Sequence, residues 1–286
     1  MSIDRVRVLT LNQWGRGGVW TERRDALRRG LAELAPDLVA LQEAVKDDDA
    51  DTVAELFAPD FHVWHQTTGL LGDGNCAAIA SRWPLRTVRE LDQQVTPRTA
   101  KFPATTLIAE IAVPDPVGPL LFVNHLPSWE PALELERELQ TVGAARVVEA
   151  IVAATPMHVV LAGDLDAVPD AASIRFLRGL QSLEGLSVWY RDAWSSLHTD
   201  EPGHTFALRN PLMSDESDMR MEVSRRIDYV FVRCDFNGPT LEIVDCRLAF
   251  DEPIDGEWAS DHFGVVADLA VPDARARPRR RLGDAA

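Results

Sequence analysis

Along residues 5–12, Arg-Val-Arg-Val-Leu-Thr-Leu-Asn, apolar and polar positions alternate. A period of two predicts a strand with Val6 and Val8 on one face, halted at Asn12-Gln13-Trp14-Gly15. Leu27, Leu31 and Leu34 then recur at helical spacing, predicting a helix over 21–34 that Pro36 ends. A short apolar run over 37–43 closes on Gln42-Glu43. The acidic run 47–51 suits the N-terminus of a short helix. Strands are predicted within 61–71, at 77–80, over 105–113 and over 120–124, where the last runs into Asn124-His125. A helix is predicted over 131–153 with Pro131 in its first turn. Charge opens the strand at 225–232, and Asp261-His262 precede a final strand. So many strands at short spacing argue for sheets packed face to face rather than a simple βαβ array.

One stretch draws several of these signals together. Val159-Val160-Leu161-Ala162 runs into Gly163-Asp164-Leu165-Asp166, and Pro169-Asp170 then open a helix containing Ile174, Phe176 and Leu177. A buried strand ending at Gly163 delivers two carboxylates to its rim, on one side if the chain stays extended. Like charges that close need a cation or a shared proton. The same residues also suit turn aspartates that cap the next helix, and the stretch alone leaves both readings open.

Composition narrows the class. The chain has 286 residues, 46% apolar and 26% charged, an ordinary globular profile. No apolar run is long enough to span a bilayer, and no secretory pattern opens the chain. Cys76, Cys234 and Cys246 are scattered and odd in number, which predicts a reducing, cytoplasmic compartment without disulfides or a zinc site. A domain is expected over 1–272, with residues 273–286 as a disordered basic tail, and the protein is expected to be a monomer. The net charge of −16 argues against a tight binder of long nucleic acid. It is compatible with a small phosphorylated substrate, because a bound cation supplies local positive charge.

Asn12, Glu43, His125, Asp164, Asp166, Asp228, Asp261 and His262 all fall at strand ends or adjoining turns. Each has an ordinary structural reading alone. Together they supply hard oxygen ligands for Mg²⁺, histidines for phosphate oxygens and a carboxylate for water. At Leu9-Thr10-Leu11-Asn12, Leu41-Gln42-Glu43, the run 78–84, Val123-Asn124-His125-Leu126, Gly163-Asp164-Leu165-Asp166, Arg226-Ile227-Asp228-Tyr229-Val230 and Ser260-Asp261-His262-Phe263, the chain resembles the endonuclease/exonuclease/phosphatase superfamily of DNase I-like phosphohydrolases. The motifs come in that superfamily's order and span residue 5 to about 270.

The resemblance implies an α/β (α+β) four-layer sandwich, two stacked mixed sheets flanked by helices, with one site at the rim. It implies Mg²⁺ or Mn²⁺ held by Glu43 and Asn12, with Asp261 as a further carboxylate. It implies His262 as the catalytic histidine oriented by Asp228, Asp164 acting on the attacking water, and His125 touching the scissile phosphate. Arg226 is expected to be a structural cation near these carboxylates. Trp129 and Trp14 could each stack on a substrate group or pack in the core.

Asp166 departs from the pattern, which has Asn there. An amide can donate to a phosphate oxygen, whereas an ionised carboxylate can only accept. Asp166 is therefore expected to take a second cation or to be held protonated. The expected activity is hydrolysis of a small or lipid-linked phosphate ester, as a diesterase or monoesterase. A nuclease is the alternative, and it requires a local basic groove near Arg16, Arg82, Arg98, Lys101 and Arg209. A catalytically silent binding module on the same fold is a third reading.

Overall fold

Apolar residues from alternate positions of many strands meet between two mixed sheets. The computed structural model describes residues 3–69, 74–100, 102, 104–214 and 223–272; the tail expected over 273–286 and Lys101 lie outside them. In chain order the elements are β1 (Arg5–Asn12), α1 (Trp20–Leu34), β2 (Leu38–Val45), α2 (Thr52–Phe57), β3 (His62–His65), β4 (Asn75–Ser81), β5 (Leu85–Asp92), β6 (Thr105–Ile111) and β7 (Leu120–Leu126). There follow α3 (Glu134–Ala154), β8 (His158–Asp164), α4 (Ala172–Leu177), β9 (Tyr190–Asp192), α5 (Ala193–Leu197), α6 (Pro211–Ser214), β10 (Asp228–Asp235), β11 (Gly238–Pro239), β12 (Glu242–Ala249) and β13 (Gly264–Ala270). One sheet has the order β12-β13-β1-β2-β4-β3, the other β11-β10-β8-β7-β6-β5, with β9 also on β10.

The face that each strand residue takes decides the layers. Val6, Val8, Phe122, Val160 and Val230 fill the space between the sheets. Leu9, Leu11, Leu27 and Leu31 join β1 to α1 on one outer face. Val123, Val148, Leu161 and Phe231 pack with Ile174 and Phe176 on the other, beside α3 and α4. The result is the four-layer order helix, sheet, sheet, helix. Among the described residues no helix is long and apolar enough to cross a membrane. The three cysteines are buried free thiols.

Strands β5 and β12 carry charges along exposed faces near sheet edges, so neither shows an apolar run in the sequence. Helix α3 begins at Glu134 rather than Pro131. Arg137 draws the preceding segment into a loop instead, donating to the carbonyls of Ser128, Glu130 and Pro131 at 2.9, 2.8 and 3.1 Å.

The sandwich positions its polar rim by parallel pairing. β1 runs parallel to β2, and β7 to β8, so Asn12, Glu43 and Asp164 arrive at one end. Antiparallel β10 starts at that end, with Asp228 opposite Asp164. Toward the far end, Arg7 Nε and Nη2 donate to the two oxygens of Asp268 at 2.7 and 2.9 Å. Asp268 is nearly buried, and this bond holds its carboxyl below the usual carboxylate range. A depressed native pKa stabilises the fold above the unfolded value and loses that contribution as pH falls through the native one. Asp268→Asn is expected to cost about 1–3 kcal/mol near neutral pH. Urea unfolding should show the gap closing as pH drops below about 4. A gap independent of pH would assign the cost to shape alone.

Candidate active site

Asn12 closes β1 with its side chain crossing between the sheets. Its Nδ2 donates to Glu43 Oε1 at 3.1 Å and to Asp164 Oδ2 at 3.0 Å, while its Oδ1 accepts from the Trp14 backbone N–H at 2.9 Å. So placed, Asn12 holds two carboxylates together, while its oxygen accepts from the backbone.

Glu43 reaches this point through an irregularity. The β2–β4 ladder shifts register between Leu41 and Ala44, and Glu43 has φ of 51°. Regular alternation would send its side chain outward with Leu41. The bulge and the left-handed residue re-aim it at the rim, and such strain persists where the surroundings over-determine it.

The chain is also not extended past Asp164. β8 ends at Asp164, and Asp166 adopts φ of 49°, a region that Asp and Asn tolerate. Its N–H donates to Asp164 Oδ1 at 3.1 Å. A tight turn, not strand alternation, therefore brings Asp166 back beside Asp164. Gly163 is required by close approach, since any Cβ there would overlap the His125 carbonyl oxygen.

His262 Nδ1 lies 3.0 Å from Asp228 Oδ2 and 3.8 Å from Asp164 Oδ2. The ring packs on Phe206, with centroids 4.9 Å apart. Ser260 Oγ donates to the Asn12 carbonyl at 2.7 Å and accepts from the His262 N–H at 3.2 Å. Burial opposes a charged imidazole, but Asp228, Asp164 and Asp261 prevail and raise its pKa well above the ordinary value. The opposite pressure acts on the acids. Burial, then mutual repulsion, raises Glu43, Asp164 and Asp166, and lifts Asp261 to about 6.

The donors at this rim are hard oxygens whose ionised forms repel one another, which suits a small divalent cation. Asp164, Asp228 and His262 also offer ligand atoms within 4.8 Å of one another. His262 Nδ1 is already tied to Asp228, however. Glu43 lies close enough to Asp261 to add its repulsion to burial in raising that carboxyl's pKa.

Not every expected residue joins the site. His125 is fully buried, with Nδ1 2.7 Å from Thr106 Oγ1 and Nε2 3.3 Å from Thr141 Oγ1. Both ring nitrogens are occupied, so the side chain offers nothing to a phosphate and borders the rim only through its backbone. Trp14 is packed beneath Arg23, whose guanidinium lies 4.8 Å from its ring, and it is not a free stacking surface. Trp129 is 47% exposed and remains available. Arg226 pairs with Asp192 at 2.9 Å rather than with the rim carboxylates.

Other supports carry no periodic or motif signal in the sequence. Buried Arg23 donates to the carbonyls of Ala259 at 3.1 Å, Gly17 at 2.6 Å and Gln13, joining the loop after Asn12 to the loop before Asp261. Thr205 Oγ1 accepts from the Asp228 N–H at 3.2 Å. Asn210 Nδ2 donates to the carbonyls of Ser260 and Asp261 at 2.8 and 3.0 Å. The polar composition of 198–224 was the one clue to these last two.

The family model of the Endonuclease/Exonuclease/phosphatase family matches residues 9–262. No curated protein matches by sequence. Truncated Caenorhabditis elegans TDP2 has a TM-score of 0.73 at 19% identity, over 93% of this chain and 98% of that one. D. rerio TDP2 complexed with a single-strand DNA product has 0.71 at 20%, over 93% and 99%. The human Nocturnin catalytic domain with bound sulfate has 0.68 at 16%, over 94% and 97%. At these identities the likeness is one of fold, and it bears out the DNase I-like sandwich.

Burial drives the His125 pKa down to about 3 from the ordinary 6.5. Between those values the unfolded chain binds a proton that the native state refuses. The wild type therefore loses stability as pH falls through this window, by up to about 1.4 kcal/mol per unit. His125→Gln lacks that loss. Urea midpoints should move in the variant's favour from pH 6.5 toward 4. Parallel pH dependence in the two proteins would return His125 to the list of phosphate contacts.

Proposed function

This chain belongs to the endonuclease/exonuclease/phosphatase family, and from that premise we propose that it hydrolyses a phosphate ester at this rim with Mg²⁺ or Mn²⁺. The observation that carries the reading is the convergence itself. One amide of Asn12 bridges Glu43 and Asp164 across the sheets, and the Asp228–His262 pair stands beside them. Glu43 and Asp261 would hold the cation, with Asn12 fixing Glu43. When bound, the cation supplies positive charge to the phosphate. Asp164, made more basic by burial, takes a proton from water as the water oxygen bonds to phosphorus and the ester oxygen departs. The departing oxygen regains its proton from solvent. Asp228 fixes the Nδ1 side of His262, so that Nε2 can donate to a phosphate oxygen.

Substrate size follows from charge. The nuclease alternative requires a basic groove, yet Arg16 pairs with Asp47, Arg82 with Asp37, Arg98 with Glu136 and Arg209 with Asp251. With these guanidiniums neutralised and a net charge of −16, a small or lipid-linked phosphate is favoured over a long polyanion. Exposed Trp129 offers a face to a substrate group. The nuclease reading keeps one support, the fold shared with the DNA-bound TDP2.

Bis-p-nitrophenyl phosphate, the mono-ester and plasmid DNA, each with Mg²⁺ or Mn²⁺, separate the readings. Hydrolysis of a small ester is expected, falling about 10²–10⁴-fold in His262→Ala. Undiminished activity in that variant would remove His262 from the chemistry, plasmid cleavage alone would favour the nuclease, and no hydrolysis would favour a binding module. For Asp166, the proposal is a second cation or a retained proton. Asp166→Asn should change Mn²⁺ stoichiometry or affinity, or shift the pH–rate profile. Equal single-ion binding with an unchanged profile would exclude both roles.

A further inference from the structure

Away from the catalytic rim, a cleft of about 260 Å³ opens between the end of α4, β9 and α5. Its walls include Arg178, Trp189, Arg191, Ser195 and Ser196. Trp189 and Arg191 are two residues apart at an edge strand and share a face, with the guanidinium 5.9 Å from the indole ring. Behind the ring stands Gly179, with φ of 72°. A Cβ there would lie 3.2 Å from Trp189 Cδ1, so the end of α4 backs the indole closely.

This cleft carries positive charge on its walls. Many arginines of this chain are paired with carboxylates, as Arg7 is with Asp268 and Arg233 with Glu149. Among the described residues neither Arg178 nor Arg191 makes an ion pair, and Arg191 lies close enough to the Cys234 thiol to hold its pKa down against the effect of burial. Asp192 is the one carboxylate in the wall, and it is already committed. Its Oδ2 pairs with Arg226 at 2.9 Å, and its Oδ1 accepts from the Trp194 N–H at 3.1 Å. Two uncompensated guanidiniums thus face a cleft with an aromatic wall and two hydroxyl residues, in a chain of strongly negative charge.

We propose that this cleft binds a small organic phosphate bearing one flat ring. The phosphate lies between Arg178 and Arg191, whose planar forks match its oxygens, and the ring stacks on Trp189. The cleft is smaller than the roughly 300–1,000 Å³ of sites for drug-sized ligands, which limits the occupant to about one phosphate and one ring. No residue of the catalytic rim lines it, so the site stands whether or not the rim hydrolyses phosphate esters.

The test is titration of phenyl phosphate into full-length protein in EDTA, where turnover is suppressed, following the ¹⁵N-indole signal assigned to Trp189 by Trp189→Phe. A saturable shift is expected. Arg178→Gln and Arg191→Gln should each weaken it about tenfold or more. Trp189→Leu, followed by calorimetry, should weaken phenyl phosphate but leave inorganic phosphate unchanged, and His262→Ala should bind as the wild type does. A shift that fails to saturate, or one indifferent to both arginine substitutions, would overturn the site. Loss of binding in His262→Ala would place the ligand at the catalytic rim instead. Equal affinity for phenyl and inorganic phosphate would overturn the ring's part in recognition.

Discussion

The arrangement depends on hydrogen bonds that cross between the two sheets just beneath the rim. Asn124 Nδ2 donates to the carbonyls of Leu41 and Ala78 at 2.8 Å each, and its Oδ1 accepts from Gln42 Nε2 at 2.7 Å. Both side chains are fully buried. Apolar packing holds the sheets together but tolerates sliding, whereas buried amides must meet specific partners or lose about 1–3 kcal/mol each. These bonds fix the Leu41 end of β2 against β7. One residue further on, the bulge turns Glu43 to the rim, and Asn12 makes the final crossing to Asp164.

Once the rim is fixed, electrostatics concentrates there. Carboxylates are buried and brought close enough together to resist ionisation, and one imidazole is held charged among them. Such an arrangement costs stability and is held by the surrounding structure. Arg23 and Arg137 contribute by the same device: each is a buried fork spent on backbone carbonyls, one tying the loops around Asn12 and Asp261, the other shaping the loop that presents Trp129. A lysine could not make these bonds, because its ammonium lacks a planar fork.

Asp166 and His125 show where reasoning from linear pattern reaches its end. Asp166 does arrive beside Asp164, but through a left-handed turn that alternation does not describe. His125 follows Asn124 in a motif that suggests a phosphate contact, yet the alternation of β7 sends it away from the sheet interface, toward α3 and the hydroxyls of Thr106 and Thr141. In one case the side chain reached the site by an unforeseen route. In the other a strand-end position was mistaken for a rim-facing one.

The sequence by itself determined where the main strands run, because β1 alternates with a period of two and β2, β7 and β8 are apolar runs leading into polar groups, while the four layers were implied by the family resemblance. It also determined which strand ends gather polar groups, because Asn12, Glu43, Asp164, Asp228 and His262 interrupt apolar runs with groups that need partners. Strands β5 and β12 escaped notice because their edge positions let charges replace the apolar pattern. Only the tertiary structure decided which polar groups face each other, since the Asn12–Asp164, Arg23–Ala259 and His262–Asp228 bonds join residues 152, 236 and 34 positions apart. Local pattern specifies the face of a strand. The bulge at Glu43, the turn at Asp166 and the committed ring of His125 depend on what packs against them, and that is set by the assembled sheets.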